Sequence, residues 1–248
     1  MILDVKFLDD TGPLWFAATL LVFSVIYASY KALNIHIVSI SSFKKLTPNF
    51  TILYLIVVVS YFTYIVRLRY PIGTHFYNFQ LSFFTQYIVL FIVGILIRRL
   101  NLLNKLTYKF GLTWFAFGIF VSLTLFGAIS YFGGAVDNPY LLLGGHSSQA
   151  ALYALWESIT CASIILGLLV LFKRFFNKST KFTLFLSQNA FGVYVLHAPI
   201  LVFISLHLVV YKFNPTTKSF ILFILGLVCS FIASYLIRKI KILKLILS

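Results

Sequence analysis

Charge is scarce in this chain. Only 10% of its residues are Asp, Glu, Lys or Arg, while 61% are apolar. A soluble domain runs nearer half apolar and a quarter charged, so a water-soluble globule is excluded. Acid is scarcer still: five carboxylates face twenty basic side chains, and Glu157 is the single glutamate. The resulting net charge of +15 does not point to nucleic acid, because the basic residues sit in short loops between apolar runs and not along one soluble face. Cysteine is nearly absent. Cys161 and Cys229 each fall inside an apolar run and read as small packing residues, not as a disulfide framework. The first residues lack a basic stretch, Asp4, Asp9 and Asp10 outnumbering Lys6, which argues against a cleavable signal peptide. The His and Cys positions show no metal-ligand spacing, and no P-loop, dinucleotide fingerprint or G-x-S-x-G occurs. Neither a metal nor a bound cofactor is expected. No internal repeat is present.

What the chain has is long apolar runs from end to end. Seven are close to or beyond the ~20 residues that cross a bilayer: 13–31, 49–67, 81–97, 112–132, 148–173, 187–211 and 218–238. The fold expected is all-α, a polytopic transmembrane helix bundle, with residues 1–248 as one transmembrane domain. Fifteen basic residues fall in alternate loops: Lys31, Lys44 and Lys45, then the clusters around Arg98, Lys173 and Arg238. The other loops hold only Lys6, Arg67, Arg69, Lys212 and Lys218, together with all four aspartates, including Asp137. Positive charge stays inside, so the N-terminus is expected outside and the C-terminus in the cytoplasm. The formal glycosylation sequon at Asn49 lies on the predicted cytoplasmic side and is discounted.

Polar residues inside the spans are candidate functional groups, because an ionisable side chain in hydrocarbon is costly. Glu157 lies nine residues into its span and His197 ten residues into the next, ~14 and ~15 Å deep at 1.5 Å per residue. In antiparallel neighbours both reach similar depth. They are the candidate catalytic pair, a carboxylate and an imidazole suited to acid–base or orienting work. The alternative is a structural pair satisfying itself. Tyr194 shares a face with His197, and Ser187, Gln188 and Asn189 precede it. This stripe either lines a pocket or hydrogen-bonds a neighbouring helix, and Pro199 can kink the helix beyond the His. Arg67 and Arg69 end the second span against the charge trend. Their guanidinium forks suit carboxylate, phosphate or a polarised carbonyl, or anchor headgroups. His146, after Gly144-Gly145, is a candidate contact for an acceptor or a solvated loop residue. His36, His75 and His207 carry little information.

Four segments resemble the acyltransferase 3 family of bacterial membrane enzymes: Gly12-Pro13-Leu14-Trp15-Phe16; Arg67 through Gly73 with Gln80 through Tyr87; Leu152-Tyr153-Ala154-Leu155-Trp156-Glu157; and Gly192-Val193-Tyr194-Val195-Leu196-His197-Ala198-Pro199. The resemblance implies transfer of an acyl group, probably acetyl, from acyl-CoA as co-substrate to a hydroxyl of a surface glycan or lipid-linked sugar. It implies a multi-pass protein of the bacterial inner membrane, in contact with lipid. Arg67, Arg69, Tyr194, Trp156 and His146 are its expected substrate-binding residues. Family members usually have about ten spans, the first carrying an Arg and a His with no counterpart here. The expectation is therefore a chain resembling the C-terminal two-thirds of such an enzyme, without its first three helices and inactive by itself. A rival class is a transport or flippase-like subunit for lipid-linked or acylated sugars, since outer arginines and a midplane Glu–His pair would serve a transport path equally well.

Overall fold

The computed structural model describes residues 14–33, 47–74 and 79–240. Expectations placed on Asp4, Lys6, Asp9, Asp10, Gly12, Pro13, His36, Lys44, Lys45, His75, Lys241 and Lys244 lie outside the described residues. The described chain is helical: α1 (Trp15–Ala32), α2 (Pro48–Arg69), α3 (Phe84–Arg99), a short α4 (Leu102–Lys105), α5 (Tyr108–Tyr131), α6 (Ser148–Phe175), α7 (Lys181–Leu208) and α8 (Pro215–Ile237). A 3₁₀ turn, Leu81–Phe83, leads into α3. Seven helices are long and apolar enough to cross a membrane, and each matches one expected span. Helix is the required answer for such segments, since hydrocarbon offers no partner to a backbone N–H or C=O.

The starts of the helices follow local chemistry. Pro48 and Pro215 open α2 and α8, where a missing N–H costs nothing. Ser147 accepts from Ala150 N at the start of α6. Thr180 and Thr183 form a reciprocal capping box at α7, satisfying two otherwise orphaned donors.

Burial is inverted relative to a soluble protein. Large apolar side chains such as Leu21, Phe120, Leu123 and Phe203 are exposed, whereas Thr63, Arg67, Ser82, Ser163, Asn189 and Ser234 are buried. Lipid solvates the former, and close helix contact needs small or hydrogen-bonding residues at the seams.

Two compact units result. In the first, residues 17–177, α5 lies against α6 through Gly111 facing Val170, Gly118 facing Ser163, and Gly167 facing Phe115. α2 packs on α6 and α3 on α2. Ala150 and Ala154, both fully buried, keep the α6 surface low. Phe23 of α1 meets Phe91 of α3 at 5.5 Å between ring centres, and Tyr27 accepts a 2.7 Å hydrogen bond from Arg99.

In the second unit, residues 14–16 with 178–240, α7 packs on α8. Ser234 donates to Asn189 O and Oδ1, each at 3.1 Å, and Asn189 Nδ2 donates to Phe185 O at 2.8 Å. Of the polar stripe, Asn189 therefore serves helix–helix hydrogen bonding, while Ser187 and Gln188 are exposed. α7 continues through Pro199. The position a Cβ on Gly192 would take is occupied by Ser234 Oγ. Gly192→Val is expected to destabilise this unit by about 1–3 kcal/mol, the range for overpacking, and Ser234→Gly to restore part of the loss. Thermal melting of both variants in lipid checks it; an unchanged melting temperature for Gly192→Val would show that the seam is not close-packed.

Candidate functional site

The site grows from the C-terminal end of α2. A loop closes on it: Ile72 N donates to Leu143 O at 2.7 Å and Gly145 N to Arg67 O at 3.4 Å. Gly144 has nothing but hydrogen where Arg67 O and Pro71 crowd in, and Gly145 has a φ of +83°, a conformation that glycine adopts without strain. The Gly144-Gly145 pair thus lets this loop lie directly on the backbone of Arg67. His146, next in sequence, is exposed at the rim.

Arg67 itself points inward. Cα–Cβ bonds tilt toward a helix's N-terminus, and α2 and α6 run antiparallel here, the end of one beside the start of the other. The Arg67 side chain therefore descends along α2 while that of Glu157 rises along α6. They meet with Nη2 2.6 Å from Oε2. The Arg67 side chain is 0% exposed and that of Glu157 17%. The guanidinium carbon lies 5.0 Å from the Phe83 ring centre and 5.7 Å from that of Tyr153, within the range where a ring face attracts a cation. The sequence reading put Arg67 in an outer turn and Glu157 at midplane. Side-chain length and Cβ direction bring them into one ion pair.

A pair in so dry a place should use all its hydrogen-bonding capacity, since an unmade bond at a buried donor costs ~1–3 kcal/mol. Arg67 does not. Its Nε and Nη1 are buried without a hydrogen-bond partner, as are Thr63 Oγ1, Ser82 Oγ and Gln86 Nε2. Thr63 precedes Arg67 by one turn on α2. Ser82 and Gln86 flank Phe83, whose ring covers the guanidinium. The outcome is a fixed cation, held on one side by a carboxylate, with two N–H groups and nearby amide and hydroxyl groups unengaged. Such an arrangement can receive an oxygen that carries or develops negative charge.

The chain matches the model of a family described as an acyltransferase domain, the acyltransferase 3 family, over residues 3–239. It belongs to that family. No curated protein and no solved structure matches it. With seven helices able to span a bilayer, this acyltransferase-family chain is a multi-pass membrane protein.

The other expected site residues of this acyltransferase-family chain fall in varied places. Arg69 is exposed, since two residues along a helix turn it well away from Arg67. Trp156 faces α5, where its indole N–H donates to Ser122 O at 3.1 Å and its ring stacks on Tyr153 at 5.2 Å and meets Phe126 at 5.0 Å. It props Tyr153, which in turn faces Arg67. His197, in the other unit, is half-buried. Its Nδ1 lies 2.6 Å from Tyr194 O and 3.3 Å from Val193 O. A carbonyl only accepts, so Nδ1 carries a hydrogen. The Tyr194 ring lies one turn back, tilted, with 6.1 Å between ring centres.

Thr63, Ser82, Phe83, Gln86 and Tyr153 were not singled out from sequence as site residues. A signal was there: Thr63 and Arg67 are a polar pair spaced i, i+4 on one face of α2, and Ser82 and Gln86 repeat that spacing across the 3₁₀ turn that leads into α3.

Proposed function

We propose that this chain acts in transferring an acyl group from acyl-CoA to a hydroxyl of a surface glycan or lipid-linked sugar, in a bacterial inner membrane with its N-terminus outside. The observation that carries the reading is Arg67: a buried guanidinium with one face given to Glu157 and two N–H groups free. In the proposed reaction the hydroxyl oxygen attacks the thioester carbonyl carbon. The carbonyl oxygen becomes an oxyanion and takes hydrogen bonds from Arg67 Nε–H and Nη1–H. The C–S bond then breaks, the ester forms, and the hydroxyl proton ends on the coenzyme A thiol. Donors already in place at a developing charge are worth about 10²–10³ in rate each. Glu157 holds Arg67 in position and is not itself a proton carrier. Proton removal from a hydroxyl is work an imidazole can do, and His197, whose Nδ1 lies against the Tyr194 carbonyl, is the candidate base of the second unit. Arg69 and His146, both exposed, suit contacts with the polar acceptor.

The test is purified protein in lipid vesicles with radiolabelled acyl-CoA and glycan acceptors; transfer by this chain alone would overturn the expectation that it is inactive by itself. Binding of acyl-CoA and label appearing in an alkali-labile ester support the reading. His197→Gln is expected to lower transfer by about 10²–10⁴, the range for a general base, with acyl-CoA affinity nearly unchanged. Movement of a lipid-linked sugar across the vesicle without any need for acyl-CoA would overturn it in favour of transport.

A further inference from the structure

α5 marks where the bilayer lies. It starts among cations. Lys109 is its second residue; from the end of α6, Lys173 donates to Leu106 O at 3.2 Å and the Arg174 guanidinium lies 4.4 Å from the Tyr108 ring centre. Farther along, Phe120 and Leu123 form an exposed, lipid-facing stripe. Tyr131 comes three helical turns after Phe120, within about 20° of the same direction. It therefore continues that stripe, and it is 80% exposed. Tyr108 and Tyr131 open and close α5, about 35 Å apart at 1.5 Å per residue. The hydrocarbon core is ~30 Å thick. With Tyr108 at one interface, Tyr131 reaches the other, the depth at which rings with a polar tip settle.

The segment that follows lacks the charge of an aqueous loop. No Lys or Arg occurs between residues 110 and 172, and Asp137 is the one charged residue between α5 and α6. Hydrogen bonds fix its shape. Val136 N donates to Ser130 O at 3.1 Å, Asn138 N to Gly134 O at 3.0 Å, and Tyr140 N to Asn138 Oδ1 at 3.2 Å. Ala135 turns inward and is buried, while Phe132, 94% exposed, turns outward with Val136 and Tyr140. Large apolar side chains presented by a fixed backbone mark a surface that something apolar covers.

We propose that segment 131–140 is seated in the phospholipid headgroup layer at this end of α5, with Phe132 and Val136 among the upper acyl carbons and the Tyr131 and Tyr140 hydroxyls among the phosphates. Its partner is the lipid of that leaflet. The patch continues the lipid-facing stripe of α5, and it begins at interfacial depth. A sugar would call for side chains bonding its hydroxyls around the rings. Phe132 and Val136 offer none, and Asn138 Oδ1 is taken by Tyr140 N. A protein partner fits the apolar chemistry but gives no reason for the patch to begin at the edge of the hydrocarbon. The same loop lies on the end of α2, where Gly145 N donates to Arg67 O. The headgroup layer is then level with the Arg67 backbone, and the guanidinium, which descends along α2, lies below it.

Spin labels read the depth. Phe132→Cys, Val136→Cys and Tyr140→Cys are made singly in the full chain carrying Cys161→Ala and Cys229→Ala, labelled with a nitroxide and placed in phosphatidylcholine vesicles. Collisions with oxygen, which concentrates in hydrocarbon, are compared with collisions with a water-soluble nickel chelate. A label at Leu123→Cys and a nitroxide free in water set the two extremes. The oxygen-to-nickel ratio in the loop is expected to fall between them. It should rise in vesicles of longer-chain lipid, whose thicker hydrocarbon reaches nearer the loop, while the Leu123 label barely responds. A ratio equal to that of the free nitroxide, whatever the chain length, means that the loop stands in water and overturns the proposal. Low collision rates with both agents mean that protein covers the patch, and overturn it equally. If the cysteine-free chain does not fold, Phe132→Trp in the otherwise native chain decides. Added emission quenched by lipids brominated close to the headgroup sustains the proposal; added emission that they leave unquenched overturns it.

Discussion

Arg67→Lys is expected to lower acyl transfer by at least about 100-fold while leaving the protein folded. Lysine keeps the positive charge, so the pairing with Glu157 and the attraction of the Phe83 and Tyr153 rings persist. What it loses is the fork. Arg67 places Nε and Nη1 in fixed directions from one plane, both free of partners; a lysine has one nitrogen, which Glu157 would claim. Loss of a single preorganised donor at a developing oxyanion costs about 10²–10³ in rate. Affinity for acyl-CoA should weaken less, because the ground-state carbonyl is a poorer acceptor than the oxyanion. The parallel variant Arg69→Lys should remain within about twofold of wild type, since that side chain is exposed and keeps its charge. Transfer rate and melting temperature, measured on both variants in vesicles, separate the two arginines. Equal activity of Arg67→Lys and wild type would remove Arg67 from the chemistry.

Glu157→Gln is expected to be the most destabilising single change near the site. The neutral amide retains the shape and an acceptor oxygen. It leaves the guanidinium, 0% exposed, without a counter-charge among aromatic rings. Breaking a buried pair by removing one partner costs about 3–5 kcal/mol, whereas replacing both partners with apolar groups of similar volume is often neutral. The double variant Arg67→Met, Glu157→Leu should therefore recover the stability that Glu157→Gln loses, and should still transfer no acyl group. Melting curves in lipid, read beside transfer, test this. If the double variant is no more stable than Glu157→Gln, the pair contributes more than mutual neutralisation, and the coupling with Phe83 and Tyr153 must supply the difference.

The seven spans were legible because hydrocarbon leaves the chain a single option. A run such as Leu222 through Ile232 has no way to satisfy its backbone in a bilayer except as helix, and the boundaries fell within a few residues at Pro48, Ser148 and Pro215, where caps and prolines stand. Family membership was legible for a similar reason: short segments such as Arg67 through Gly73 and Gly192 through Pro199 keep their order along the chain.

The pairing of Glu157 was not legible. Depth arithmetic treats a residue as a point on its helix axis and names no partner for Glu157. It ignores that an arginine side chain is long, and that Cβ direction sends Arg67 and Glu157 toward each other from antiparallel helices. The segment Gln80 through Tyr87 likewise showed its polar residues but not that Ser82 Oγ and Gln86 Nε2 would be buried without partners. Whether Gln86 has a partner depends on what α2 and α6 bring alongside it.

The amino-acid sequence by itself determined that this protein is helical, crosses a membrane several times and belongs to the acyltransferase 3 family, because hydropathy and motif order are properties of the chain read one residue after another. Only the tertiary structure decided that Arg67 is buried and Arg69 exposed, that Glu157 holds the former, that Trp156 props Tyr153, and that Gln86 keeps an unused donor. Those outcomes depend on which helices lie side by side, as when Arg67 meets Glu157 from 90 residues away, and on which small side chains let two helices approach. One-dimensional periodicity carries the face of each helix and not the identity of the neighbour that covers it.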